Sequence, residues 1–182
     1  GQFLYFTSAR VFDPVADTHF HDYSFPSGGR PHLLTLRPDV ASPFDPAQRP
    51  ARAPGAPPPG SPAPKNGEKA GKEKAAPDPV EIDLEGIESR VVAFPQPPGR
   101  YGPVRGAKGR VFTIVFPVSG ALTPQSKPTG RVEAWDFATE KIEQIADSVS
   151  GIITNPAGTV LGIYGDRKLR VVPVGWKDDK SG

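Results

Sequence analysis

The sequence predicts an all-β chain: a partial β-propeller of about two and a half four-stranded antiparallel blades, with a disordered Pro/Ala/Lys-rich insert. Three observations carry this reading. Ten runs rich in β-branched and aromatic residues are set between Gly, Pro and Asn turn signals. The turn-and-strand unit recurs at a spacing of about 45 residues, the length of a four-stranded blade. Of the 24 prolines, 11 fall between residues 41 and 80, where no strand pattern survives.

The elements follow in order. Phe3-Leu4-Tyr5-Phe6 and His32-Leu33-Leu34-Thr35-Leu36 form a strand pair separated by a long Asp/Pro/Gly-rich loop. Residues 1–46 are read as blade strands with that loop. Residues 47–80 are read as the insert, which includes Ala53-Pro54-Gly55-Ala56-Pro57-Pro58-Pro59-Gly60 and the mixed-charge run Lys65 to Lys74. No aromatic lies between Phe44 and Phe94, so this stretch cannot bury enough apolar surface to offset its ordering entropy. A polyproline-II bias is expected there, with the charges acting as solvated spacer.

Blades resume over 81–175. Ile87–Phe94 supplies a third strand of the first blade. A complete blade follows, with strands near 103–107, 110–116, 131–137 and 141–146. In Gly130 to Phe137, Val132 and Ala134 face one way, and Glu133, Trp135 and Phe137 the other. The next blade begins near 150–155. It continues as a hairpin of 159–164 and 168–174 turning at Gly165-Asp166, and residues 176–182 are tail or linker. One segment competes with this scheme. Ile142, Ile145, Ala146 and Val149 are spaced i, i+3, i+4 and i+7, a helical period. The segment is short and poorly capped, and an exposed edge strand is the favoured reading.

A propeller closes with at least four blades, so this pattern describes an excerpt. The chain has 182 residues and no methionine, and begins directly in strand rhythm, which supports a piece of a larger protein or a processed one. With no cysteine, disulfide frameworks and thiolate metal sites are excluded, and the composition fits a reducing compartment. The formal charge of +2 is too small to point to nucleic acid. No apolar run approaches the ~20 residues of a membrane-spanning helix, and no membrane partner is expected.

The string YFTSARVFDPVADTHFHDYSFPSGGRPHLLTLRPDVASPFDP at 5–46 resembles the propeller region of tricorn-type proteases. So do EIDLEGIESRVVAFPQPPGRYG at 81–102 and, less specifically, DSVSGIITNPAGTVLGIYGDRKLRV at 147–171. The resemblance implies the C-terminal blades of the second, seven-bladed propeller, preceding PDZ and serine protease regions of the same full-length chain. It further implies a large cytoplasmic homo-oligomer that degrades oligopeptides released by the proteasome, with peptide substrates as partners. The propeller would be a gated, non-catalytic route for them. The family's catalytic Ser and His lie in later domains, so no catalytic position is carried over and no cofactor is expected. The long, Lys-bearing insert departs from the family pattern.

Residues that could carry chemistry are few. His19 and His21, flanked by Asp17 and Asp22, could offer two imidazoles and a carboxylate to a metal. A third ligand is missing, His32 is the only other histidine, and a solvated loop is the plainer reading, so no metal site is assigned. The run Gly99 to Arg110 packs four glycines with four basic residues. It matches no phosphate-loop spacing and leads into a strand. Small residues suit the crowded innermost strand of a blade. If 103–107 is that strand, Arg105 or Lys108 could face the channel and attract a peptide carboxylate. Plain surface charge is the competing reading. There is no G-x-S-x-G, Ser119-Gly120 has no histidine near it in sequence, and Asp178-Asp179 sit in a polar tail. Asp136 beside Trp135 is read as structural, and Trp135, Phe112, Phe116 and Tyr164 as packing between blades. Two other functions compete: a stand-alone protein-binding module tethered by the insert, and a hydrolase built on the His-x-His loop.

Overall fold

A computed structural model describes residues 1–16, 19, 22–44, 79–119 and 129–176. Apart from Pro79 and Val80, the expected insert lies outside the described residues. So do Asp178 and Asp179 and most of the expected tail.

Twelve strands are described: β1 (Phe3–Ala9), β2 (Val15–Ala16), β3 (Tyr23–Ser24), β4 (Gly29–Thr35), β5 (Val91–Ala93), β6 (Arg100–Ala107), β7 (Arg110–Phe116), β8 (Gly130–Asp136), β9 (Lys141–Val149), β10 (Gly151–Thr154), β11 (Val160–Gly165) and β12 (Lys168–Pro173). They form antiparallel sheets β1-β4-β5, β6-β7-β8-β9 and β10-β11-β12, plus the small pair β2-β3. The three main sheets hold three, four and three strands, as the repeat predicts. β2 and β3 lie in what reads as plain loop, and two residues per strand leave almost no periodicity to detect.

The sheets stack as propeller blades. The first strands of successive sheets are neighbours: β6 packs against β1 and β4 on one side and β10 on the other. Small residues permit this approach. A Cβ at Gly106 would come 2.8 Å from the Tyr5 ring of β1. Pro103, which cannot donate to a ladder, sits in edge strand β6 at a register shift between Tyr101 and Val104.

Side chains alternate between two interfaces of the middle sheet. One face gives Phe112, Ile114, Val132, Ala134 and Ile145 to a core shared with Ile152, Leu161 and Ile163 of the third sheet. The other gives Val104, Val111 and Trp135, joined by Phe137, to a core with Leu33 and Phe94 of the first. Phe94 meets Trp135 edge-on at 6.4 Å. Each fully buried large side chain of this kind stabilises by about 1.5–3 kcal/mol.

One expectation is corrected. Ile87–Arg90 is a 3-10 turn, not strand, and only Val91–Ala93 pairs with β4. The turn starts at Gly86 (φ +61°), and Ser89 Oγ donates to Gly86 O at 2.7 Å. Tyr164 is 43% exposed, on the face of the third sheet opposite to buried Leu161 and Ile163. Residues 141–149 form edge strand β9 rather than a helix, yet Ile145, Ala146 and Val149 are buried. Its ladder with β8 shifts register between Gly130 and Val132 and again between Val132 and Glu133. Each bulge adds a residue to β9, so Ile145, Ala146 and Val149 reach one core at spacings of one and three, while Ile142, opposite Trp135, is 40% exposed.

Candidate functional site

β6 carries the two basic residues singled out by the sequence. Arg105 pairs with Phe112 across the β6-β7 ladder, which puts its side chain on the face turned toward the third sheet. It is half-buried, and Nη1 donates to Val104 O at 3.0 Å. Lys108 is exposed in the two-residue turn between Ala107 and Arg110. Its backbone N donates to Gly158 O at 2.9 Å. Gly158 has φ +62°, and a Cβ there would lie 3.1 Å from Lys108 N. The turn before β11 is itself fixed, because Asn155 Oδ1 accepts from Thr159 N at 2.8 Å and Val160 N at 3.0 Å. The β6-β7 turn is therefore clamped where the second and third sheets meet. Among the described residues neither Arg105 nor Lys108 forms an ion pair, which leaves both charges available to an anion.

The His-x-His loop is described only in part. His21 and Asp17 lie outside the described residues, and Asp22 Oδ1 accepts from Tyr23 N at 2.7 Å. Among the described residues no group of three or more His, Asp or Glu is placed to hold a metal. His32 is a core residue. Its ring stacks on Phe6 at 5.5 Å, and Nδ1 lies 2.9 Å from Arg30 O. Burial, aided by the nearby Arg10 and Arg30 charges, pulls its pKa below the usual value despite the Arg30 carbonyl.

Asp136 is structural. Oδ1 accepts from Ala138 N at 2.8 Å and Thr139 N at 3.0 Å, and Oδ2 meets Arg110 Nη2 at 2.8 Å. Arg110 Nη1 also lies 3.2 Å from Glu143 Oε2, close in charge but not aligned as a hydrogen bond. Burial raises the Asp136 carboxyl. The Thr139 and Ala138 N–H groups and the Arg110 charge outweigh it and hold the pKa below the usual value. Ser119 follows β7, and Gly120 lies outside the described residues.

One feature has no counterpart in the sequence reading. A cavity of about 490 Å³ lies between residues 35–44 and 85–92, with Arg90 among its lining residues. Arg90 falls in the stretch read as strand, which is why no signal marked it. No helix among the described residues is long and apolar enough to cross a membrane.

Comparison with known proteins settles the family. Residues 1–175 match the family described as "Tricorn protease second beta propeller domain". This chain belongs to the tricorn second-propeller family. The tricorn segment is 32% identical over 181 residues to "Tricorn protease homolog 1" of Streptomyces coelicolor, covering 95% of this chain and 16% of that protein. It is 29% identical over 181 residues to "Tricorn protease homolog" of Saccharolobus solfataricus, covering 98% of this chain and 14% of that one. A solved structure titled "Crystal structure of the tricorn protease" superposes with a TM-score of 0.63 at 20% identity, over 95% of this chain and 15% of that chain, which shows a shared fold. The tricorn segment thus spans roughly a sixth to a seventh of these relatives' length.

Proposed function

We propose that this propeller segment is a non-catalytic part of a tricorn-like serine protease that degrades oligopeptides. It admits or positions peptides for protease and PDZ domains elsewhere in the same full-length chain. On this reading the protein works as a cytoplasmic homo-oligomer, and Arg105 and Lys108 draw the carboxylates of incoming peptides. Residues 1–46 and 81–175 act as blade units, with 47–80 as a spacer between two strands of one blade. The observation that supports this is the convergence of β1, β6 and β10, with the clamped basic turn at the end of β6.

The test uses the full-length protein. Arg105→Gln combined with Lys108→Gln is expected to raise KM for peptides with a free C-terminal carboxylate about five- to tenfold, with kcat unchanged. C-terminally amidated peptides should show no such rise. Equal KM for both peptide classes in the wild type and the double variant refutes the channel role. An open reading frame that stops soon after Gly182, with a Met just upstream of Gly1, refutes the protease assignment.

A further inference from the structure

The outward face of the third sheet differs from its counterpart in the second. Strands alternate their side chains between two faces, and Ile152, Leu161 and Ile163 turn toward the second sheet. The opposite face carries two rows across the ladder. Ile153, Gly162 and Val171 form one, and Tyr164 with Leu169 the other. Ile153 is 63% exposed, Tyr164 43%, and Leu169 and Val171 66% each. In the second sheet the corresponding face, turned away from the first, carries Phe112, Ile114, Val132 and Ala134. All four are wholly buried beneath the third sheet. The two sheets repeat one pattern, and only the second has its partner among the described residues. A contiguous apolar face of this kind marks a docking surface. Ile153 leans over Gly162, where a Cβ would come within 2.8 Å of it. The centre of the face is therefore filled, and a broad surface of this shape suits the face of another sheet.

The course of the chain beyond β12 selects the partner. Trp176 N donates to Pro173 O at 2.9 Å, a turn that reverses the chain. Val172, Val174 and Trp176 pack on the core shared with the second sheet, and the Arg170 guanidinium lies 5.8 Å from the centre of the Trp176 ring. Through Trp176 the chain thus lies on the side opposite Leu169 and Val171. The second sheet is left differently, because β9 passes through Ser150 directly into β10 of the sheet on its outward side. The match to the propeller family also ends at residue 175, just past β12. The cover for the exposed face therefore comes from upstream.

We infer that Ile153, Tyr164, Leu169 and Val171 close the propeller ring, packing face to face on a blade formed by residues upstream of Gly1 in the same full-length chain. The inference rests on the longer protein proposed above. A protein with no blade upstream of Gly1 refutes that proposal, whereas cross-links test the contact itself. Benzoylphenylalanine is placed at Leu169 or at Val171 in separate variants of the full-length protein, and its cross-links are mapped by mass spectrometry. Mixed heavy- and light-isotope subunits separate links within a chain from links between copies. Links should form within one chain to residues upstream of Gly1, about tenfold above those from the same photo-residue at Thr139, in an exposed turn of the second sheet. Links mainly between copies assign the face to a subunit interface and overturn the inference. So do links mainly to residues beyond Gly182, or no excess over Thr139. Hydroxyl-radical footprinting of the unaltered full-length protein needs no variant, so it stands even if the photo-residues disturb folding. Tyr164 should be oxidised about tenfold more slowly than in the unfolded chain. A slowing of only about twofold, as its present exposure would give, overturns the inference.

Discussion

Replacing Asp136 by Ala tests whether the blade turn is held by the interactions described. The carboxylate serves two backbone N–H groups with one oxygen and Arg110 with the other. Removing one partner of a wholly buried ion pair costs about 3–5 kcal/mol, and each hydrogen bond to a charged group is worth about 1.5–3 kcal/mol. Two facts discount the sum. Ala138 and Thr139 are exposed, so water can reach their N–H groups, and Glu143 still accompanies Arg110. The expected loss is about 3 kcal/mol. For a domain of this size that lowers Tm by roughly 6–12 °C. Asp136→Asn keeps an oxygen for both N–H groups and loses only the charge, so it should cost about 1–1.5 kcal/mol. The two variants also differ in pH dependence. A depressed carboxyl pKa stabilises the fold above the ordinary Asp value of 3.8, and that stability is lost as pH falls through the lower folded value. Asp136→Asn should flatten the acid limb of stability below about pH 4. Urea and thermal unfolding between pH 2.5 and 7 measure all of this. Equal losses for Ala and Asn, or an Ala loss under 1 kcal/mol, refute the reasoning.

Two further outcomes follow from the packing. His32 is buried with a lowered pKa, so the unfolded chain binds its proton first and stability falls as pH drops below about 6.5 toward the folded value. His32→Gln should remove that part of the pH dependence, seen as a flatter Tm profile between pH 5 and 7. Gly106→Val places a branched side chain against Tyr5, where even a Cβ would sit at 2.8 Å. Overpacking of this kind costs about 1–3 kcal/mol. It should also weaken the contact of the first two sheets, detectable as faster amide exchange in β1 with β11 and β12 unaffected.

Much of the fold is legible because the second and third sheets are built from consecutive strands with clear patterns. Val132 and Ala134 against Trp135 and Phe137 is a two-residue period, and those residues do divide between two cores. The failures have local causes. The turn of the last hairpin falls at Asp166-Arg167, one residue later than read, with φ of +49° and +57°. Gly165 looks like a turn glycine but is needed because a Cβ there would collide with Ser148 O. The β9 bulges imitate a helical period, since two inserted residues shift the apolar phase. The candidate site is legible only in part. Arg105 and Lys108 stand out by composition, whereas the cavity joins segments more than 40 residues apart in the chain.

The uneven span of these pairings sets an order of folding. β6 joins β7, and β11 joins β12, through two-residue turns, so these hairpins close at little entropic cost. Leu33 pairs with Val92, and Leu34 with Val91, which requires closing a loop of nearly 60 residues. Closure entropy grows with the logarithm of loop length, and non-local pairing slows folding. The second and third sheets therefore assemble first and offer a ready surface in Val111 and Trp135. β5 is therefore expected to pair last, carrying Phe94 onto that surface.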